Sequence, residues 1–339
     1  MVNVKDFNAP NLGLPTNLRA ILRTGEVLWG TWCHIPSEEA ARIVALLPHE
    51  FCFIDGSPPA FCPQEHSPLG PVELTAVTRA INFFSGGSMV PIVRATTPEM
   101  VNHALNAGAG GIVMPHIQTK DQAEALVRLV RFPPRGDRSV PPNALLGRQK
   151  DMPPGVRALD IWNDHVAVFA QVEDVDGLRN VEEIASVPGG RSTLPQISHP
   201  LHILMTRNFL PRTIQRPIAD ESYFLVLVDA IMVGGWDLQS SLGIEPSFAS
   251  THHPLFLESI EKIQRAADAN GLAVMGGGMP DTLQDRIRLG WTLFICNTDA
   301  AGILNWGEQA LEKYKKIAAS AQKKEHRNGT VQEGVTDAE

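Results

Sequence analysis

The sequence predicts a single-domain (β/α)₈ barrel, or TIM barrel, and two observations carry that prediction. Eight short apolar runs alternate with amphipathic segments along the 339 residues. The runs are continuously apolar, as expected for strands that are covered on both faces of a parallel sheet. Strict alternation of strand and helix predicts a parallel sheet, and eight repeats suggest that it closes into a barrel. An open doubly wound sheet is the alternative, which the lack of a GxGxxG motif after the first run weakens.

Each of these apolar runs is a candidate strand. The predicted strands span 27–33, 51–55, 90–95, 111–115, 166–172, 229–234, 272–276 and 292–297.

Helical patterns follow these strands. The segment 72–84 repeats its apolar residues at helical spacing, Thr119 and Gln122 fit a capping box, and Asn270-Gly271 fits a C-terminal cap. The clearest helices are predicted over 72–84, 119–131, 253–270, 281–289 and from about 300 to about 321.

Two segments interrupt the alternation, 56–64 and 190–228, and we interpret both as insertions into the barrel. The first directly follows a strand, which places it on the catalytic face. The second joins a helix to a strand, which places it on the opposite, bottom face. We expect the barrel to span 18–321 and the polar segment 322–339 to be a disordered tail.

Composition and charge exclude several classes of function. The net charge of −8, without a basic block, argues against nucleic acid or an anionic membrane as a partner. No apolar run approaches the roughly 20 residues that cross a bilayer, and the N-terminus lacks the apolar stretch of a secretory signal. Four cysteines without a CxxC pair are too few for a disulfide scaffold. We therefore expect a cytoplasmic protein with free, buried thiols.

Two carboxylates stand where a barrel enzyme keeps its catalytic groups, at the C-terminal ends of strands. Glu173 follows the fifth predicted strand and Asp237 follows the sixth. Adjacent strands lie about 4.8 Å apart, so both side chains can reach one ion. Carboxylates that leave positions open for substrate suit Mg²⁺ or Mn²⁺. The alternative interpretation is a surface glutamate and a helix-capping aspartate.

His66 and Arg94 are the candidates for proton transfer and charge stabilisation. An imidazole titrates near neutral pH, which makes His66 the best general base, although it can also be an ordinary loop histidine. A guanidinium in the barrel mouth needs an anion beside it. For Arg94 that anion is either a substrate oxygen or a structural partner, Asp55 or Glu65.

Other residues at the strand ends are expected to shape the pocket. Trp32 belongs to the pocket wall or the core, and His116 is expected to be a polar residue that lines the mouth. Gly234 and Gly235, just before Asp237, would let a ligand approach the backbone closely.

Seven motifs in one order resemble the HpcH/HpaI aldolase family, which includes 2-dehydro-3-deoxyglucarate and 4-hydroxy-2-oxoheptanedioate aldolases. The resemblance runs from about Leu18 to about Ala319. The motifs are GTW (30–32), EHSP (65–68), PIVR (91–94), VMPH (113–116), RFPPRGDRS (131–139), AQVE (170–173) and GGWDLQSSLG (234–243).

This resemblance implies a class II pyruvate aldolase, an aldehyde-lyase that uses Mg²⁺ or Mn²⁺. Its substrates would be 4-hydroxy-2-oxo acids, which are cleaved to pyruvate and an aldehyde. It also implies a homo-oligomer, a hexamer or trimer, in which the last helix is exchanged between subunits. The matched positions are Glu173 and Asp237 as metal ligands, His66 with Glu65 as the base, Arg94 at the 2-keto oxygen, and Gln171 as a pocket residue near the metal. From their places at the strand ends, Gly235, Trp236 and Trp32 are further expected to bind substrate.

The sequence departs from the family at three places, one of which is the segment 190–228, since the family passes directly from the fifth helix to the sixth strand. The family reads Asp-Gly-Glu-His without a break, whereas here 56–64 separates Asp55 from Glu65-His66. Gly235-Trp236 also replaces a proline and a small residue. Two further hypotheses therefore stay open: a CoA-thioester lyase of the citramalyl or malyl type, and a catalytically silent barrel that serves as a binding subunit.

Overall fold

A closed barrel of eight parallel strands, in chain order from β1 to β8, forms the centre of the protein. The computed structural model describes residues 2–56, 68–140, 152, 154, 156–187 and 228–332. The predicted fold class is confirmed, and every strand boundary lies within one residue of its prediction. The strands are β1 Leu28–Cys33, β2 Phe51–Asp55, β3 Val90–Arg94, β4 Gly111–Met114, β5 Ala167–Val172, β6 Ala230–Val233, β7 Ala273–Gly277 and β8 Leu293–Thr298.

Helices surround this barrel and close one end of it. Those predicted over 72–84, 119–131, 253–270 and 281–289 are confirmed as α3, α5, α10 and α11, again within one residue. The helices are α1 Leu18–Leu22, α2 Glu38–Val44, α3 Pro71–Phe84, α4 Pro98–Asn106, α5 Lys120–Val130, α6 Ala158–His165, α7 Val175–Arg179, α8 Val181–Ala185, α9 Gly235–Ser241, α10 Pro254–Asn270, α11 Pro280–Leu289 and α12 Asp299–Gln332.

The predicted capping residues fix several helix ends. The Thr119 hydroxyl accepts from the Gln122 backbone N–H at 3.3 Å, and the Gln122 side chain accepts from the Thr119 N–H at 3.1 Å. Gly271 and Gly290, with φ of 65° and 115°, end α10 and α11 in the left-handed conformation that favours glycine.

Alternation along the strands divides the core into an inner and an outer layer. Ala167 and Phe169 of β5 lie in the cluster that fills the barrel, whereas Val168 and Ala170 pack between the barrel and its helices. Gln171 and Glu173 continue the inward series, because side chains two residues apart share a face. The inner cluster also contains Phe51, Phe53, Ile92, Met232 and Leu293.

A buried ion-pair network closes the bottom of the barrel. Asp229, just before β6, accepts from Arg19 Nε at 2.7 Å and from Arg131 Nη2 at 3.2 Å. Arg138 stacks its guanidinium over the Phe132 ring at 4.3 Å. Arg131, Phe132 and Arg138 belong to the RFPPRGDRS motif, so these parts of the motif support the barrel wall.

The last helix is longer than predicted. Helix α12 continues from Asp299 to Gln332, past the predicted end near 321. The expectation of disorder from 322 onward is therefore wrong for 322–332, while 333–339 lie outside the described residues. The prediction weighed only the lack of large apolar residues, whereas the stretch begins with Gln322, Lys323, Lys324 and Glu325, residue types that favour helix without tertiary contacts.

Both predicted insertions lie almost wholly outside the described residues, as do Glu65 and His66. Asp55 and Gly56 mark the described end before the first insertion, and Val187 and Val228 flank the second. Their predicted positions therefore stay predictions. None of the described helices combines the length and apolarity that crossing a membrane requires.

Candidate active site

Polar side chains converge at the C-terminal edge of the barrel, where the inward series of each strand ends. Asp55 lies opposite Arg94 in the register of β2 with β3. In the register of β5 with β6, Gln171 lies opposite Met232. These positions follow from apolar inward residues earlier in the same strands, so the core that fills the barrel also aims the site residues into its mouth.

Arg94 is held by a two-pronged bond to Asp55. Its Nε donates to Asp55 Oδ1 at 2.9 Å, and its Nη2 donates to Asp55 Oδ2 at 2.5 Å. Asp55 is fully buried at 0% exposure and Arg94 is 6% exposed. Asp55 is thus the structural partner that was one of the two alternatives for Arg94. Because Asp55 fixes the guanidinium plane within the mouth, Arg94 can also face a ligand there.

An aromatic wall stands beside Arg94. The Arg94 Cζ atom lies 5.7 Å from the centre of the Trp32 ring and 5.9 Å from that of Phe53. The rings of Trp32 and Phe53 meet edge to face at 5.3 Å. The expectation that Trp32 is a wall residue agrees with this packing.

His34 and Asp299 form a pair at the rim that sequence reasoning did not bring together. The His34 ring stacks on Trp32 at 4.2 Å, and its Nδ1 lies 3.6 Å from Asp299 Oδ1. Burial acts to raise the pKa of Asp299, but hydrogen bonds from His34, Ile35 and Ala300 outweigh it and lower that pKa. Asp299 therefore anchors this end of β1 as an ionised carboxylate. The two-residue spacing of Trp32 and His34, which puts both side chains on the inward face, is the sequence signal that could have predicted a role for His34 at the rim.

Glu173 is a buried carboxylate held by neighbouring donors. It is 3% exposed. The His116 backbone N–H donates to Oε1 at 2.7 Å, and Gln171 Nε2 donates to Oε2. Burial raises the pKa of Glu173, and the nearby charge of Asp237 raises it further against the opposing effects of His116 and Gln171. A carboxylate in this position is stabilised by a bound cation.

Gly234 leaves the space that Glu173 occupies. A Cβ at position 234 would lie 2.5 Å from both Cβ and Oε2 of Glu173, and 3.1 Å from Gln171 Nε2. At Gly235 a Cβ would meet only Phe256 Cζ, at 3.6 Å. The two glycines were expected to admit a ligand, but Gly234 admits two of the protein's own side chains. The register of β5 with β6, which the sequence does not specify, explains the difference.

Asp237 lies in the first turn of α9, beside the Glu173 carboxylate whose pKa it raises. Trp236, its neighbour, is exposed and meets Phe248 edge to face at 5.4 Å. An exposed aromatic pair at the mouth of a barrel is suited to contact a substrate.

The donor set fits a hard divalent cation. Glu173 and Asp237 offer carboxylate oxygens. The buried Gln171 Oε1 accepts no hydrogen bond within the described part of the chain. Oxygen donors with open positions suit Mg²⁺ or Mn²⁺ and not thiolate-bound zinc. Across the described ranges no three His, Cys, Asp or Glu residues form a metal-binding group, so the protein would supply two carboxylates and leave the remaining positions to other ligands.

The described structure places seven of the nine site residues named from the sequence at the C-terminal edge of the barrel. The other two, Glu65 and His66, lie outside the described residues. The seven placed at the mouth are Trp32, Arg94, Gln171, Glu173, Gly235, Trp236 and Asp237.

A model of the HpcH/HpaI aldolase/citrate lyase family matches residues 71–295. That range includes Arg94, Gln171, Glu173 and Asp237. A hydroxypyruvate/pyruvate aldolase of Sagittula stellata is 32% identical over 184 residues, which cover 52% of this chain and 66% of that protein. One of Roseobacter denitrificans is 25% identical over 304 residues, which cover 87% of this chain and 95% of that protein.

A solved structure shares the whole architecture. It is an HpcH/HpaI aldolase/citrate lyase family protein from Burkholderia cenocepacia J2315, with a TM-score of 0.67 and 28% identity. The match covers 88% of this chain and 100% of that chain. The likeness therefore extends over the barrel as well as over the strands that carry the site.

Proposed function

We propose that this chain, which belongs to the HpcH/HpaI aldolase/citrate lyase family, is a metal-dependent aldolase that cleaves or forms 4-hydroxy-2-oxo acids through the enolate of pyruvate. One observation carries the proposal. The buried Glu173 lies beside Asp237, and the same barrel mouth holds Arg94. A pair of neighbouring carboxylates, of which burial raises the pKa of Glu173, and a fixed guanidinium are the groups that a cation and a developing oxyanion require.

Glu173 and Asp237 would hold the cation, and Gln171 supports them. When bound, Mg²⁺ or Mn²⁺ would supply Lewis-acid stabilisation of the enolate charge. The Gln171 amide donates to Glu173 and so keeps that carboxylate in one orientation. Its free Oε1 atom can accept from a substrate or solvent hydroxyl in the mouth.

Arg94 would bind the 2-keto oxygen of the pyruvate half. Because Asp55 holds two of its N–H groups, the guanidinium cannot swing away while charge develops on that oxygen. A preorganised donor of this kind contributes about 10²–10³ in rate. Trp32 and Phe53 exclude water from one side of the guanidinium, which strengthens its interaction with an anion.

The proposed base is His66, paired with Glu65, on the family resemblance. In cleavage, His66 would take the proton of the 4-hydroxyl group while the C3–C4 bond breaks. The electron pair of that bond becomes the enolate, and the aldehyde is released. Protonation of the enolate carbon then gives the methyl group of pyruvate. No imine is required, and the described strand ends offer no lysine for one.

Self-association is proposed from α12. Large apolar side chains are exposed along this helix, whose main contacts with the barrel are at its start, beside β1 and β8. A second copy of this chain would cover them, in line with the implied hexamer or trimer. The exposed residues are Ile303, Leu304, Trp306, Leu311, Tyr314 and Ile317.

The test is a screen of aldehydes with pyruvate in the presence of Mn²⁺ or Mg²⁺, which detects 4-hydroxy-2-oxo acids by mass spectrometry. Product formation that stops with a chelator and in E173Q supports the proposal. Release of acetyl-CoA from a malyl or citramalyl thioester, without aldol product, would assign the thioester-lyase function instead. Tight metal binding without turnover of either substrate class would indicate a silent barrel.

A further inference from the structure

His116 adopts a backbone conformation that few residues other than glycine adopt. Its φ is 54°, and it is the single non-glycine residue with positive φ in the described part of the chain. Bonds on its C-terminal side hold this geometry. The Ile117 N–H donates to the Gln171 carbonyl at 3.1 Å, and the Gln118 amide donates to Asp174 Oδ2 at 2.7 Å. A strained residue fixed by its surroundings at the mouth of a barrel indicates a function.

This conformation brings both the backbone N–H and the imidazole of His116 to one oxygen of Glu173. The backbone N–H lies 2.7 Å from Glu173 Oε1, and the imidazole Nδ1 lies 3.2 Å from the same atom. Gln171 holds the other oxygen. His116 at one oxygen and Gln171 at the other therefore fix the orientation of the Glu173 carboxylate.

The ring of His116 is not part of the packed core. Its side chain is 44% exposed, whereas the Glu173 side chain is 2% exposed. A histidine that served packing alone would be buried among apolar groups. Here the imidazole covers the solvent side of a buried carboxylate, so its main effect is on the orientation of that group.

We propose that His116 is a positioning residue for the metal site, which holds Glu173 in the rotamer that binds the cation. The inference rests on the proposed function, because it assigns His116 a task only if Glu173 is a metal ligand. Residues that orient a metal ligand typically contribute 10- to 100-fold to metal affinity. His116 acts through Glu173 and not on the substrate.

Titration of the substrate-free protein with Mn²⁺, followed by electron paramagnetic resonance, tests the inference. H116G accepts the same φ and keeps the backbone donor but lacks the ring. H116N also tolerates this backbone, and its amide nitrogen can occupy the place of Nδ1. We expect about tenfold weaker Mn²⁺ binding in H116G, and binding near that of the wild type in H116N. H103N is the matched control, since His103 on α4 has an equally exposed side chain at 44%.

Three outcomes decide between the possibilities. Equal affinity in H116G and the wild type overturns the positioning role, and so does an H116N variant as weak as H116G. A wild-type protein that binds no Mn²⁺ removes the proposed metal site itself. If H116G does not fold, histidine NMR of the wild type replaces it. The His116 signal is assigned as the imidazole signal that is missing from the spectrum of H116N. This signal must shift when Mg²⁺ is added, and an unchanged signal contradicts the proposal.

Discussion

Gly234 packs against Glu173 so closely that a Cβ at position 234 would lie 2.5 Å from the Glu173 Oε2 atom. A backbone hydrogen bond also joins β5 to the residue after β6, since the Gly234 N–H donates to the Val172 carbonyl at 3.1 Å. Space for the buried carboxylate therefore depends on the absence of a side chain on the neighbouring strand. This relationship ties the geometry of the proposed metal site to the strand pairing of the barrel.

G234A is predicted to weaken divalent-metal binding. The added methyl group must displace Glu173 or Gln171, because real Cβ atoms do not approach other atoms at 2.5 Å. Overpacking costs about 1–3 kcal/mol, and we expect at least tenfold weaker Mn²⁺ binding together with a lower melting temperature. Calorimetric titration of the folded variant measures the first effect. G302A is the control, since a Cβ at Gly302 meets nothing within 4 Å. Unchanged affinity in G234A would show that Glu173 does not hold the ion.

R94K is predicted to lower kcat of the aldol reaction by about 10²–10³. Lysine keeps the positive charge but cannot reproduce the planar two-pronged bond to Asp55, so the charge is no longer fixed toward the keto oxygen. Steady-state kinetics of cleavage, at saturating metal, measure the loss. Mn²⁺ affinity is the internal control and is expected to stay within about twofold of the wild type, because Arg94 is not proposed to hold the ion. An R94K enzyme with normal kcat would exclude Arg94 from charge stabilisation.

His165 is predicted to make the fold less stable in acid. Burial lowers the pKa of His165, whose Nδ1 lies 2.8 Å from the Pro15 carbonyl oxygen. The folded state therefore prefers the neutral ring, and the unfolded chain binds the proton more readily. The free energy of unfolding should fall as pH drops below the ordinary value near 6.5 and through the lowered pKa.

Denaturant melts of the wild type and H165N between about pH 5 and pH 8 measure this effect. Asparagine can donate to Pro15 without titrating, so H165N should show a flatter dependence on pH. Parallel curves for the two proteins would contradict the assignment to His165.

Helix α12 is predicted to carry the subunit contacts. Trp306 and Ile317 are 75% and 55% exposed, and three helical turns separate them, which places both on one face. W306E/I317E should lower the molar mass in solution toward the 36.9 kDa of one chain. Light scattering during size-exclusion chromatography measures the mass. Q309E adds charge to the same helix without removing an apolar side chain and should keep the mass of the wild type. An unchanged mass in the double variant would exclude this face as the interface.

Periodicity and strand ends were enough to predict the barrel and the residues at its mouth. Arg94 and Glu173 could be placed because the inward series of a buried parallel strand ends at one edge of the barrel, and Asp237 because it follows the next strand within a few residues. Contacts between strands were not predictable in the same way. The role of Gly234 depends on the register of β5 with β6, and the position of His116 depends on a left-handed turn that histidine rarely adopts.

The length of α12 was also not predictable from the sequence. The absence of large apolar residues after 321 favoured disorder, yet α12 continues to Gln332. Composition alone does not separate a solvated helix from a disordered tail.

Deuterium exchange into the methyl group of pyruvate, measured by proton NMR in D₂O, tests the metal-dependent enolate most directly. The reaction needs no aldehyde, so it does not depend on the unidentified second substrate. We predict exchange with Mn²⁺ or Mg²⁺, and none above the uncatalysed rate in E173Q or after metal removal with EDTA. Exchange that persists at the wild-type rate in E173Q or with EDTA would contradict the account.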